Sequence, residues 1–79
     1  MRFILKGKAY ELRKEEVEEK MQRVTPEVIR KHYVVIIEMK FPPKQVLGEI
    51  LDLGRVEFTS MDAVNILKRL GFEMGHYKL

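Results

Sequence analysis

The stretch from Phe41 to Phe72 reads FPPKQVLGEILDLGRVEFTSMDAVNILKRLGF, and it is the most informative part of the chain because it predicts two successive amphipathic helices. Pro42 and Pro43 stop a preceding strand, since neither has an N–H to donate, and Pro43 suits the first turn of a helix. Apolar residues then recur on one helical face: Val46, Leu47, Ile50 and Leu51. We expect Gly54 to end this helix, as glycine commonly does.

The second helix is predicted to begin at Thr59, because Asp62 follows three residues later as a variant of the capping box. Its core-facing residues are Ala63, Ile66, Leu67 and Leu70. Gly71 fits the left-handed position that closes a helix, and Phe72 can fold back on Leu67 as the contact of a Schellman motif. Both ends of this helix are therefore indicated by local chemistry.

The residues before this stretch predict a hairpin and another helix. Arg2 to Leu5 and Ala9 to Leu12 are extended runs, and Gly7 between them can supply the positive φ of a tight turn. From Arg13 to Val24, apolar residues follow helical spacing. Acidic side chains fill the early turns and basic side chains the later ones, which matches the helix dipole.

A short helical piece is predicted next, because Thr25 can cap it and Pro26 suits its first position. We expect Val28 and Ile29 to turn inward. The piece should end near residues 31–32 and lead directly into a strand.

A second hairpin is predicted after it. Tyr33 to Ile37 is β-branched and too short for a helix, and Met39 to Phe41 would pair with it across a turn near Glu38. Four consecutive aliphatic residues predict a strand covered on both faces. With a last strand from Phe72 to Tyr77, the expected fold is α+β: two β-hairpins and a C-terminal strand form a small sheet packed against about three helices.

Length and composition predict one domain over residues 1–79. A chain of this size buries roughly 60 to 65% of its unfolded surface and cannot sustain two cores. It has no Cys, which makes the cytoplasm the default location, and no apolar run of about 18 residues that would cross a membrane. The charged fraction of 34% favours a heat-adapted protein with ion-pair networks, and the net charge of +3 permits contact with nucleic acid.

Three segments carry a further signal: Tyr33-Val34-Val35, Lys40-Phe41-Pro42-Pro43-Lys44-Gln45-Val46-Leu47 and, after Phe58, Leu67-x-x-Leu70-Gly71-Phe72-Glu73. Over residues 28–75 this order resembles the amino-terminal head domain of McrA-like HNH endonucleases, which are modification-dependent restriction enzymes. It is also similar to short free-standing prokaryotic proteins with the same signature. The resemblance implies a DNA-associated accessory domain. It does not carry over catalysis, because the nuclease lies elsewhere in those enzymes.

Lys44 is the first candidate binding residue, because its cation opposes the dipole at the start of a predicted helix. It could meet a phosphate there together with the free N–H groups of the helix, and a solvated lysine is the alternative. Four further cations extend the predicted nucleic-acid surface: Lys40, Arg55, Arg30 and Lys31. The last two also lie near a predicted helix end, where the dipole stabilises cations in any case.

No constellation of residues predicts catalysis or a metal site. Glu38-x-Lys40 is similar to the Glu-x-Lys half of a metal-dependent nuclease centre, but the strand before it offers no second carboxylate, and a turn glutamate explains Glu38 more simply. His32 and His76 lack Cys or carboxylates at ligand spacing, so a zinc site would need another chain. Ser60 fits a helix start better than a nucleophile. We expect no enzyme, no cofactor and no small-molecule substrate.

Two binding functions therefore stay open. A DNA-binding accessory module predicts that Lys40, Lys44 and Arg55 share a face. Tyrosines could stack on bases beside these cations, although packing is the commoner fate of a tyrosine in a strand: Tyr10, Tyr33 and Tyr77.

The alternative is a protein-interaction or self-assembling module, with a homodimer as one form. It predicts an exposed apolar patch and association that tolerates salt. The candidate patch residues are Phe3, Met39, Phe41 and Met74.

Overall fold

The computed structural model describes residues 1–78 and gives them five strands and three α-helices. The strands are β1 (Arg2–Leu5), β2 (Lys8–Glu11), β3 (His32–Ile36), β4 (Met39–Phe41) and β5 (Glu73–His76). The helices are α1 (Lys14–Met21), α2 (Pro43–Leu51) and α3 (Ser60–Arg69), with a short 3-10 turn at Arg55–Glu57. The predicted α+β class is confirmed, and the strands lie in two antiparallel sheets: β1–β2, and β4–β3–β5 with β3 in the middle.

The first hairpin forms as predicted but makes its own sheet. Lys6 and Gly7 occupy its two-residue turn with φ values of 52° and 77°, the combination that a type I′ turn requires. Phe3 and Leu5 point from β1 into the core, and the ring of Tyr10 stacks on Phe3 with centroids 5.5 Å apart. This hairpin therefore carries aromatic packing to one end of the domain.

The second hairpin also has the predicted turn at Glu38, with Ile37 as the other turn residue. Val34 and Ile36 are buried, whereas Tyr33 and Val35 are only half-buried on the opposite face of β3. The prediction that β3 is covered on both faces is therefore wrong. The helices pack on one face alone, which leaves the other face of this sheet open.

The short helix predicted after Thr25 is absent, and residues 24–29 form an irregular extended segment. Val28 is 87% exposed rather than turned inward, and Ile29 is half-buried. The backbone of this segment bonds to the Gln45 side chain of α2 instead of to a helical turn of its own. A distant side chain has therefore overridden the local helix signal.

Helix α2 ends at Leu51, three residues before Gly54. Asp52 takes the left-handed closing conformation with a φ of 54°, which Asp tolerates better than most residues. Gly54 has an ordinary φ of −66° and begins the turn at Arg55–Glu57, where its N–H donates to the Glu57 carboxylate at 2.8 Å. The prediction that Gly54 ends α2 is wrong for this reason.

Both predicted ends of helix α3 are confirmed. The Asp62 N–H donates to the Thr59 hydroxyl at 3.1 Å, and the Thr59 N–H donates to the Asp62 carboxylate at 2.9 Å. The bond from the Thr59 backbone lowers the pKa of Asp62. At the other end Gly71 has a φ of 102°, and the Phe72 N–H donates to the Leu67 carbonyl at 3.2 Å, as in a Schellman motif.

The core consists of two apolar clusters that meet at α2 and α3. The sheet cluster contains Val17, Met21, Val34, Ile36, Phe41, Val46, Leu67 and Phe72. The hairpin cluster contains Phe3, Leu5, Leu12, Leu47, Phe58, Ala63 and Ile66. Ile50 and Leu70 pack against both clusters and join them.

Two ion pairs form among residues 1–78, Arg13–Glu15 and Arg55–Glu27, and they share no residue. The composition favoured a network of such pairs, but within this part of the chain the pairs are isolated. None of the helices among these residues has the length and hydropathy that crossing a membrane requires.

The turn of the second hairpin predicts a stabilising substitution. Ile37 holds a φ of 46°, which is unfavourable for a β-branched side chain, and Asn adopts this conformation more easily. We expect Ile37→Asn to raise the free energy of unfolding by about 1 kcal/mol in urea titrations. Lys6→Asn, at the matching position of the first hairpin, should gain less because Lys6 is not β-branched. An equal gain at both positions would contradict strain at Ile37.

Candidate nucleic-acid interface

A groove of about 460 Å³ lies between residues 27–32 and the amino end of α2. Four of the five predicted binding residues line it: Arg30, Lys31, Lys44 and Arg55. His32 and Ser60, the first residues of β3 and α3, also line it. The sequence predicted these cations individually, and the fold brings four of them to one concave surface.

The amino end of α2 supplies backbone donors to this groove. Pro42 is the N-cap residue, and its side chain has no oxygen that could accept an N–H of the first turn. Because Pro42 and Pro43 have no N–H, the free donors at this end are those of Lys44 and Gln45. Lys44 is the second residue of α2, and its ammonium lies 5.6 Å from the centroid of the Phe58 ring. A cation and unsatisfied helix donors thus stand at the same place, which suits an anion.

Gln45 fixes the opposite wall of the groove. Its side chain is buried, its amide nitrogen donates to the Thr25 carbonyl at 2.8 Å, and its amide oxygen accepts from the Glu27 N–H at 2.9 Å. The polar amide therefore pairs with the backbone of the irregular segment and holds it against α2. Sequence analysis missed this role, although a Gln beside Val46 and Leu47 on a buried helical face was a usable signal.

Arg55 is not a free cation. Its guanidinium binds the Glu27 carboxylate through both terminal nitrogens, one of them at 2.6 Å. This hydrogen-bonded pair lowers the pKa of Glu27 and raises that of Arg55. Arg55 therefore braces the groove wall, and the exposed cations Arg30 and Lys31 are left to face a ligand.

Lys40 lies apart from the groove. It pairs with Val35 across β4 and β3, so it stands on the sheet face that the helices leave open, which we call the outer face. Its ammonium lies 4.6 Å from the Tyr33 ring centroid and 5.4 Å from that of Tyr77. The expectation that Lys40, Lys44 and Arg55 share a face is therefore wrong.

The outer face also shows which tyrosines could stack. The rings of Tyr33 and Tyr77 have centroids 5.2 Å apart and are tilted by 42°. Tyr10 instead packs on Phe3 beside the hairpin cluster, so it is removed from these two. Two of the three tyrosines are thus gathered around one lysine.

The two histidines meet although they are distant in sequence. His32 and His76 are direct partners across β3 and β5, with ring centroids 6.1 Å apart. Residues 1–78 contain no group of three or more His, Cys, Asp and Glu side chains that could hold a metal ion. Glu38 occupies the predicted turn, and Ser60 begins α3 as expected.

The predicted apolar patch does not form as expected. Phe3 and Phe41 are buried, at 5% and 1% exposure, and Met74 is half-buried in the sheet cluster. Met39 alone is exposed, at 48%, and it lies beside the exposed Ile37 of the hairpin turn. The phenylalanines are buried because each points from a strand toward helices.

Comparison with known proteins gives a family assignment. The model of the SCO5918-like family matches residues 1–78, nearly the whole chain, so the protein belongs to that family. No curated protein and no solved structure matches the chain. The resemblance to McrA-like HNH endonucleases stays a prediction.

The buried amide of Gln45 leads to a prediction about stability. Gln45→Leu keeps the apolar packing but leaves the Glu27 N–H and the Thr25 carbonyl without partners. We expect the free energy of unfolding to fall by about 2 kcal/mol in urea titrations. Hydrogen exchange at the Glu27 amide should accelerate. Gln22→Leu, the same change at an exposed position, should have little effect; equal losses would contradict the proposed contact.

The Glu27–Arg55 pair predicts a pH dependence. Because Arg55 holds the pKa of Glu27 below its ordinary value of 4.5, the pair stabilises the fold above that pH and is lost as the pH falls through the lower folded value. We expect Glu27→Gln to destabilise the protein modestly near neutral pH and progressively less in acid, since both side chains are about half exposed. Urea titrations across pH measure this. A constant deficit at every pH would refute the link, and Glu19→Gln is the control.

Proposed function

We propose that this member of the SCO5918-like family is a small DNA-binding accessory module without catalysis, and that the groove holds the phosphate backbone. The observation that carries the proposal is the meeting of Arg30, Lys31 and Lys44 at an amino end of α2 that no side chain caps. Side-chain cations and backbone donors pointing at one site are the usual means of holding a phosphate.

The construction of the groove supports an anionic ligand. Its one acidic side chain, Glu27, is bound to Arg55 and so does not oppose a phosphate alone. Arg30 and Lys31 are exposed, so a ligand need not displace packed groups to reach them. The remaining charge of the groove is therefore positive.

The number of cations indicates what kind of binding to expect. Contacts to phosphate position a protein on DNA but do not read sequence. Three phosphate contacts would give a slope of about −3 when log K is plotted against log salt. Such a module binds weakly by itself, which suits an accessory that works beside another protein. In line with the McrA-like resemblance, we infer a role beside a nuclease on a separate chain, in the cytoplasm of a heat-adapted cell.

The proposal predicts the behaviour of charge-reversal variants. Lys31→Glu with Lys44→Glu should abolish binding of fluorescein-labelled DNA, both duplex and single-stranded, measured by fluorescence anisotropy in low salt. The wild type should bind with affinity that falls steeply as salt rises. Lys8→Glu with Lys20→Glu removes the same charge outside the groove and should retain most of the affinity.

Thermal unfolding of both double variants checks that each is folded. Equal losses in the two variants would mean that net charge, rather than the groove, binds DNA. No binding by the wild type to either duplex or single-stranded DNA, even at low salt, would refute the proposal.

A second candidate is self-association through the turn of the second hairpin. Ile37 and Met39 are both about half exposed there and adjoin Glu18 and Gln22 of the first helical region. A homodimer through this patch would persist at high salt. Sedimentation velocity should then show a dimer that Met39→Lys disrupts, and a monomer at all concentrations would exclude it.

A further inference from the structure

We propose that this chain prefers single-stranded DNA to a duplex and that the unpaired bases stack on the outer face, against Tyr33 and Tyr77. This inference rests on the proposed function, since it assumes that the groove holds the backbone of the same strand. It adds a second binding surface and a preference between two forms of DNA.

The ring of Tyr33 lies over Gly75 of the neighbouring strand, β5. The two residues are direct partners in β3 and β5, and a Cβ atom added to Gly75 would stand only 2.3 Å from Cζ of the Tyr33 ring. The ring thus occupies the space that any other side chain on β5 would fill. Because glycine has no side chain, an aromatic ring can lie directly over the backbone of β5 at this position.

Tyr77 extends this aromatic surface. Tyr77 is 43% exposed as a residue, and its ring centroid lies 5.2 Å from that of Tyr33. Neighbouring aromatic rings on an open sheet provide area for about one or two bases, because every base has a π-face that stacks without regard to sequence. Tyr77 is the more accessible of the two rings, and the stacking partner that a base meets first.

Lys40 supplies the charge of this surface. Its ammonium rests near both rings, and its flexible stem allows it to turn to a phosphate when a base takes its place. Glu73 is an acid on the same face. It pairs with Val35 from β5, whereas Lys40 pairs with Val35 from β4, so the two charges lie on opposite sides of β3. An aromatic pair with an exposed lysine is complementary to a nucleotide, which offers both a base and an anion.

The outer face and the groove are joined at the start of β3. The Tyr77 N–H donates to the Lys31 carbonyl at 2.9 Å, and Lys31 is one of the cations that line the groove. The backbones of Lys31 and Tyr77 are therefore adjacent, and the proposed strand passes from phosphate contacts at Lys31 to the outer face at Tyr77.

This arrangement favours a single strand over a duplex. The bases of a duplex are stacked on each other and hide their faces, so they cannot use a flat aromatic surface. Unpaired bases can be splayed out and stacked on both rings.

The test compares a labelled oligothymidylate of about ten nucleotides with a duplex of equal length, by anisotropy at low salt. Tyr77→Leu should weaken binding of the single strand roughly five- to hundredfold, which is the usual effect of removing one stacked base. It should leave duplex binding unchanged. Tyr77→Phe keeps the aromatic face and should retain affinity.

Intrinsic fluorescence gives an independent readout, because the chain has three Tyr and no Trp. Stacking of a base should quench the emission of Tyr33 and Tyr77. Tyr10→Phe should retain the full quenching, since Tyr10 packs on Phe3 away from the outer face. Tyr77→Phe should lose part of it while still binding.

The outcomes separate this inference from the proposed function. Wild-type binding of both DNA forms that Lys31→Glu with Lys44→Glu abolishes, with no effect of Tyr77→Leu, would overturn the inference and leave the groove intact. Binding of an oligouridylate without binding of oligothymidylate would also overturn it. Failure of the wild type to bind either DNA would refute both proposals together.

Discussion

One turn of α2 is completely buried, and its burial organises both apolar clusters and the groove. Gln45, Val46 and Leu47 are consecutive and nearly inaccessible, so this turn is enclosed on several sides rather than along one stripe. Val46 packs in the sheet cluster and Leu47 in the hairpin cluster, which makes α2 the element that joins them. A helix enclosed in this way must satisfy any polar side chain that it brings into the interior.

Gln45 is that polar side chain, and the two hydrogen bonds of its amide determine the shape of the groove. Its amide has a donor and an acceptor, and an irregular segment at 25–27 offers the matching backbone groups. Had a helix begun at Thr25, the Thr25 carbonyl would have accepted the first hydrogen bond within that helix instead of the bond from the Gln45 amide. The unwound segment instead lies against the amino end of α2, and residues 30–31 follow it to the same place. The groove is thus a consequence of satisfying a buried amide.

Sequence reasoning succeeded where a feature depends on neighbours in the chain. Thr59 with Asp62 and Gly71 with Phe72 act within a few residues, and both ends of α3 formed as predicted. It failed at 25–31, where the decisive partner is Gln45, 20 residues from Thr25. The pairing of Arg55 with Glu27, 28 residues apart, was invisible for the same reason. Four of the five predicted binding residues line the groove, but only the folded structure reveals that one of them, Arg55, is paired with Glu27.

The open face of β3 shows why apolar composition alone wrongly predicted a strand covered on both faces. Val34 and Ile36 point into the core, Ile37 leaves the strand for the turn, and Val35 is left half-exposed. A run of aliphatics was therefore divided between core, turn and surface. The half-covered face is shielded by Tyr33, whose ring lies over Gly75 instead of being covered by a helix. Tyr33 can take this position only because β5 lacks a side chain there, so the shape of the outer face is set by the single glycine on its edge strand.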